Sequence, residues 1–534
     1  MTMSLVVATS YKWPVANMEQ THGSSSPQES NLKSTTRLAA SFFNQASGSS
    51  TVDSPTAAPA ESLQLKEIPG GYGLPYIGPL KDRWEYFYFQ GVRGFFEKRM
   101  AKYNSTVFRT NMPPGWPWTD PRCVVLLDQK SYANVFDYDK VDKTDTFAGT
   151  FIPSLEFTGG LRMCAYLDPS DERHTKLKSY CLELLKESGP RWTPEFHKQM
   201  TNSFPVWEKE IASKGSSSFN SVCQELMFKV MIKAFTNVDI DNIPESDRPS
   251  SADLTKWTGL QLVPVLSVGL PAPIDDLVLH AAPLPFALAR GGYDKMFKFL
   301  QKYAGEALDV ARKFDLNRDD ATHNLIFFII LNGHGGFLRF FPIILKYVNT
   351  LAGLQEELKK EIRAAIEMNG GVLNGKALES MSLVQSTVYE ALRIEPPVGF
   401  QYARAKQDFV LESHDAAFRI KKGEMLGGVA YYASRDPVIF KDPNTFNPKR
   451  FLGEEGRKLL SHLIWSNGRQ TTNTSTNTSS SNTKQCAAKD LVPFLGQLFL
   501  VELFRKYESF QISDVKPNDT FACSFLRLTP ASSS

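Results

Sequence analysis

The sequence predicts a large, mainly α fold with small β-sheets at its edge. Three observations lead there. Between about residues 171 and 400, apolar side chains recur at helical spacing over 171–187, 194–213, 219–234, 292–314, 319–340, 351–368 and 378–393. The β-branched runs are short and lie outside that region. No internal repeat and no linker divides the chain after residue 62.

In chain order, residues 1–62 are rich in Ser, Thr, Ala and Pro, with few regular apolar positions. This composition predicts disorder, and its scattered Lys12, Lys33 and Arg37 among hydroxyl residues suit a plastid transit peptide. Residues 63–534 are expected to form one catalytic domain. The Pro/Gly punctuation of "LKEIPGGYGLPYIGPLKDR" (65–83) predicts an extended, turning segment rather than a helix. Residues 91–103 have helical spacing, and 105–112 and 122–128 read as strands. Short strands return at 408–413, 416–423 and 524–530, and a Ser/Thr/Asn-rich insert occupies 469–483.

With 534 residues, 42% apolar and 22% charged, the chain can bury a large core. A net charge of +3 spread along the chain gives no reason to expect nucleic acid as a partner. No run of about 20 apolar residues occurs, so no membrane-spanning helix is expected. The six cysteines (Cys123, Cys164, Cys181, Cys223, Cys486, Cys523) form no CxxC pair, which argues against structural disulfides and a zinc site.

Cys486 stands at the exit of the polar insert, and an amphipathic helix is expected directly after it. A helix N-terminus lowers a thiol pKa, and thiolate serves as nucleophile, zinc ligand or axial ligand to haem iron. Position alone does not choose among these. Two further features do. In "YEALRIEPP", Glu390 and Arg393 are three apart and share a helix face. "FNPKRF" then supplies Arg450 shortly before the cysteine loop.

Glu-x-x-Arg, then an arginine in a Pro-containing segment, then the cysteine, resembles the order in cytochrome P450 haem-thiolate enzymes. In those enzymes Glu390, Arg393 and Arg450 would form a network bracing the cysteine loop. "WSNG", a long insert and "KQCAAKD" narrow the match to the plant branch acting on fatty acid hydroperoxides: allene oxide synthases, hydroperoxide lyases and divinyl ether synthases. "IPGGYGLPYIGPLKDRWEYFYFQG", "STVFRTNMPPG", "YLDPSDERHTKLK" and "ESHDAAF" carry the same resemblance. It implies a cytochrome P450 fold, with a b-type haem (heme b) between the long central helix and the cysteine loop, and Cys486 as the iron ligand. Lys143, His174, Lys178 and Lys484 would face the haem propionates; His174 and Lys178, four apart, share a helix face.

The central helix reads "NLIFFIILNGHGGFLRFF" (324–341) and has no Asp-Thr or Glu-Thr pair for dioxygen activation. A hydroperoxide already carries its oxidising equivalents, so the resemblance implies a fatty acid hydroperoxide substrate with no reductase, dioxygen or NADPH. Three glycines within four positions weaken a helix by about 1 kcal/mol each, which suggests unwinding or close approach over a ligand. The resemblance implies that Asn332 lies beside the hydroperoxide, where an amide can both donate and accept. Gly336 ends that stretch. His334 stands where the family more often has an aromatic ring, and it joins the candidate catalytic residues.

Among the branches, "KQCAAKD" with Ala488, "QYARAK", "MCAYLD" with Ala165, and "RGGY" look like hydroperoxide lyases, whereas Phe147 in "TDTFAGT" looks like allene oxide synthases. The expectation is therefore a lyase, cleaving 13-hydroperoxides of linoleic or linolenic acid into a short-chain aldehyde and an oxo-acid. Divinyl ether synthase comes second and allene oxide synthase third. The expected location is the plastid, with any membrane contact peripheral.

Overall fold

The helical spacing of the central region becomes a stack of helices around one rod, in a computed structural model that describes residues 63–115, 119–265, 267, 271–280, 284–465, 480–515 and 522–531. The leader expected at 1–62 and the insert up to residue 479 lie outside the described residues.

The rod is α-helical over Arg318–Ile326, widens to π-helix over Phe327–His334, and is α-helical again over Gly335–Thr350. Asn317 caps its start by accepting the Asp320 N–H. Pro342 lies inside it and cannot donate to the Leu338 carbonyl, which instead takes a long 3.5 Å hydrogen bond from Asn220 Nδ2. By length and composition the rod could cross a membrane, contrary to expectation. Most of its apolar residues, from Leu325 to Ile330 and Phe340 to Leu345, are instead buried among other helices.

One long helix, Glu172–Lys214, runs through Pro190, Pro194 and Pro205, where the sequence predicts two. Each interior proline costs about 3 kcal/mol. Each large apolar side chain fully buried returns about 1.5–3 kcal/mol, and this helix buries Leu177, Tyr180, Leu184, Trp192, Phe196, Met200, Phe204 and Trp207. Packing outweighs the breakers. The helix after the cysteine, Leu491–Lys506, is buried on nearly every face rather than amphipathic. Helix also forms at Ile77–Trp84, within the segment expected to be extended; Pro79 lies in its first turn, where no N–H is needed.

The sheets are small. Strands β1 (Leu65–Lys66), β2 (Val107–Asn111), β3 (Arg122–Leu126), β4 (Val141–Asp142), β5 (Ser217–Ser218), β6 (Phe400–Ala405), β7 (Phe409–Glu412), β8 (Ala417–Ile420), β9 (Met425–Val429), β10 (Tyr507–Ile512) and β11 (Ser524–Pro530) make three of them, ordered β2-β3-β9-β6-β4, β1-β8-β7 and β10-β11-β5. Sequence patterning misses β6, β9 and β10. In β9 the reason is visible: a Cβ on Gly427 would lie 2.7 Å from Cys123 Sγ, and one on Gly428 2.6 Å from the Tyr132 ring. These glycines allow close packing.

An apolar surface faces outward where two segments meet. Leu74, Tyr76, Ile77 and Phe89 are exposed, as are Ile274 and Leu277. Arg83 donates twice to Asp276, the Tyr88 hydroxyl donates to Asp275, and Phe87 stacks on His280, so the segments are joined.

Candidate functional site

Glu390 and Arg393 lie one turn apart on the buried helix Ser382–Ile394. Arg393 Nε and Nη2 donate to the two Glu390 oxygens at 2.7 and 2.8 Å, and both side chains are fully buried. Arg450 Nε adds bonds of 3.1 and 3.0 Å, and the Asn447 N–H one of 2.9 Å. The arginines also grip backbone: Arg393 Nη1 holds the Ser434 and Pro443 carbonyls, and Arg450 those of Lys441, Asp442 and Thr445. The three charged residues thus fix the chain over 434–450.

That fixed segment leads to the cysteine. Phe440, Phe451 and Leu463 form a small core against which Trp465 packs. The Trp465 carbonyl accepts the Cys486 N–H at 2.7 Å. The contact fixes the thiol, yet Trp465 was not singled out in the sequence; its place just before the insert was the available signal. Helix begins only at Leu491, after a turn over 487–490, so Cys486 is not the helix cap that the sequence suggested. Burial pushes its thiol pKa up, while the Ala488 N–H and Lys178 oppose the shift. The other five cysteines are buried; Cys486 alone is partly accessible. Cys486 is thus partly accessible as a residue while protein around it desolvates its thiol.

The four expected propionate partners come together. Lys143 is buried and donates to the Tyr402 carbonyl. Lys178 donates to the Thr483 and Gln485 carbonyls, gripping the loop just before the cysteine. Lys484 Nζ donates to the carbonyls of Cys164, Ala165 and Leu167 at 3.0, 3.1 and 2.8 Å. Burial, then repulsion from Lys484, holds the Lys143 pKa well below the usual lysine range, and burial lowers Lys484 to about 8. His174 falls to about 3 through burial and repulsion from Lys484 and Lys178, and its Nδ1 has no partner among the described residues. Asp168 is the carboxylate that offsets Lys143, Lys484 and His174, and Lys406 also draws on it at 3.7 Å. A buried excess of cations with an orphaned imidazole nitrogen fits a bound group carrying two carboxylates. Haem, with its propionates here and its iron at Cys486, matches this donor set.

On the rod, the π-helical stretch over 327–334 includes Gly333 and ends just before Gly335 and Gly336, which lie in regular α-helix. Asn332 is accessible, and a Cβ on Gly336 would meet nothing within 4 Å, so both face open space. Gly333 has a different role: a Cβ there would lie 2.8 Å from Met231 Sδ, so its absence lets the neighbouring helix approach. His334 does not share the open face. It is buried, Nε2 lies 3.0 Å from the Gln224 carbonyl, and burial lowers its pKa to about 4. A neutral ring tied to the neighbouring helix is a packing residue, which corrects its place among the catalytic candidates. Phe147 lies 6.0 Å from Phe327, where the π-helical stretch begins, and 5.3 Å from Tyr166, both edge-on.

A family profile described as cytochrome P450 matches residues 347–471. Over 474 residues the chain is 46% identical to the chloroplastic allene oxide synthase of Arabidopsis thaliana, covering 88% of this chain and 90% of that one. It is 38% identical over 466 residues to the chloroplastic fatty acid hydroperoxide lyase of Solanum lycopersicum, covering 86% and 97%. It is 39% identical over 458 residues to the chloroplastic linolenate hydroperoxide lyase of Arabidopsis thaliana, covering 85% and 92%.

Proposed function

The chain belongs to the cytochrome P450 branch of allene oxide synthases and fatty acid hydroperoxide lyases, and we propose that it converts a fatty acid hydroperoxide to an allene oxide in the plastid, without reductase, dioxygen or NADPH. The observation that carries this reading is the balance of likeness: 46% identity to an allene oxide synthase against 38% and 39% to the two lyases. It reverses the order in which the sequence motifs alone ranked the branches. The residue type at Phe147 supports it, since allene oxide synthases have Phe there, and an aromatic ring next to a substrate stabilises electron-poor carbon.

Haem, when bound, supplies cleavage of the O–O bond. The reaction is a dehydration: one hydroperoxide oxygen stays as the epoxide, the other leaves as water, and a carbon-bound proton is lost. Asn332 donates to and accepts from the hydroperoxide, holding it in one orientation. The open wall at Gly336 leaves room for the chain. Hydroperoxide lyase is the second reading, favoured by Ala165, which offers no hydroxyl to the substrate where allene oxide synthases more often have serine. Mass spectrometry of products from 13-hydroperoxylinolenic acid, without NADPH, separates the two. Ketols, which an allene oxide leaves in water, are expected. A short-chain aldehyde with an oxo-acid makes it a lyase, and no consumption by haem-loaded protein overturns both readings.

Delivery of so apolar a substrate suits a peripheral membrane contact through Leu74, Ile77, Phe89 and Leu277, the exposed surface where the two segments meet. Flotation with galactolipid vesicles is expected for the protein and is expected to be lost in Ile77→Asp/Leu277→Asp. Equal flotation of both proteins sinks that contact.

A further inference from the structure

The open stripe on the rod continues past Gly336. Arg339 is seven residues beyond Asn332 and three beyond Gly336, so the three share a helix face. About 10 Å of axial rise separates Asn332 from Arg339. Arg339 is accessible, as Asn332 is, although Phe337, Phe340 and Phe341 around it are buried. The protein nevertheless desolvates its charge, which lowers its pKa against the pull of Glu395. Arg339 is thus reachable from the open face of the rod, yet it is crowded by protein that strips water from its charge.

Beyond Arg339 lies an excess of positive charge. Glu395 is buried and accepts from Arg93 Nη2 at 2.9 and 3.1 Å and from the Tyr347 hydroxyl at 3.3 Å. Lys346 and Arg435 approach it to 3.8 Å. Three cations thus share this one carboxylate, and Arg339 lies within its electrostatic reach. Lys346 registers the imbalance: burial lowers its pKa first, and repulsion from Arg93 and Arg435 adds to this, against Glu395. These cations are separate from the Lys143–Lys178–Lys484 group that suits the haem propionates. A half-buried cationic excess at the end of an open stripe calls for a further anion.

We propose that Arg339, backed by the cations around Glu395, holds the carboxylate end of the fatty acid while Asn332 holds its hydroperoxide. The inference rests on the reading that the substrate is a fatty acid hydroperoxide, and it assigns the residue that measures the chain from its polar end. A charge-assisted pair of this kind is worth roughly 10- to 100-fold in affinity.

The test uses the haem-loaded full chain and two unreactive ligands, 13-hydroxylinolenic acid and its methyl ester, with dissociation constants from isothermal titration calorimetry. The acid is expected to bind roughly 10- to 100-fold tighter than the ester. In Arg339→Gln the acid is expected to fall to the level of the ester, and Arg339→Lys to recover part of the gap. With hydroperoxides, Arg339→Gln is expected to raise KM for the acid much more than it lowers kcat. Equal binding of acid and ester by the unmodified protein overturns the anchor, as does an Arg339→Gln that weakens both ligands alike. If Arg339→Gln fails to take up haem, the acid-to-ester ratio of the unmodified protein still decides. Turnover of acid and ester alike sinks the anchor and leaves the hydroperoxide reading standing. Turnover of neither sinks that reading, while an acid preference in binding would still support the anchor.

Discussion

Cys486→Ser is expected to abolish the thiolate-type haem spectrum and to slow hydroperoxide consumption by roughly a thousand-fold or more, about 4 kcal/mol of barrier. A serine hydroxyl is close in size but does not ionise in this range, so it cannot give the iron an anionic sulfur ligand. The protein alone does not hold the thiol ionised, because burial raises its pKa, Asp490 adds to the rise, and the Ala488 N–H, Lys178 and Lys489 oppose it without reversing it. Ionisation must come with the metal, which deprotonates a coordinating thiol outright. Cys164 and Cys181 are the necessary controls, since both interact electrostatically with Lys178 near the same loop. Their thiols are buried, and Cys164 Sγ already contacts the His174 carbonyl at 3.9 Å. Cys164→Ser and Cys181→Ser are expected to keep the thiolate spectrum. Carbon monoxide difference spectra check all three, and a thiolate band surviving in Cys486→Ser would remove Cys486 as the ligand.

The parts of this site that were legible in the sequence are those fixed by spacing or by a motif. A spacing of three positions puts Glu390 and Arg393 on one face, and the structure joins them to Arg450. Cys486 followed from the residues around it, although the helix that was meant to cap it starts later. The prolines at 190 and 194 signalled a break that never forms, because sequence shows the local cost of a proline but not the core that Trp192 and Phe196 enter. Strand β9 was hidden for the opposite reason: Gly427 and Gly428 lower local strand propensity, and only their tertiary neighbours, Cys123 Sγ with the Tyr402 ring and the Tyr132 ring, explain them. His334 was misassigned where simple arithmetic would have served. Two positions along a helix put it roughly half a turn around from Asn332, and so facing away from it. The same count puts Arg339 back on Asn332's side.

The other large effect is expected from Glu390→Ala: a loss of roughly 3–5 kcal/mol of stability together with the loss of haem. Glu390 takes four side-chain donor contacts from two arginines and one from the Asn447 backbone. Removing it leaves the fully buried Arg393 with backbone carbonyls but no counter-charge. That is the costly way to break a buried pair, since the remaining charge keeps its full desolvation penalty. The effect should travel, because the segment 434–450 held by these arginines carries Phe440 and leads to Phe451, on which Trp465 and so Cys486 depend. Glu390→Ala/Arg393→Met is therefore expected to fold better than Glu390→Ala alone, because it also removes the fully buried Arg393 charge and fills space with apolar atoms, leaving only Arg450, which keeps its backbone carbonyls. Its haem loop, however, still lacks Arg393's grip on Ser434 and Pro443, so haem retention is expected to stay low while stability recovers. Urea unfolding of the haem-free proteins and haem content after gel filtration measure the two quantities separately. If Glu390→Ala unfolds at the original midpoint and keeps its haem, the network does not hold the cysteine loop. If the double variant recovers both stability and haem, the network acts only by neutralising its own charges, and the backbone grip contributes nothing.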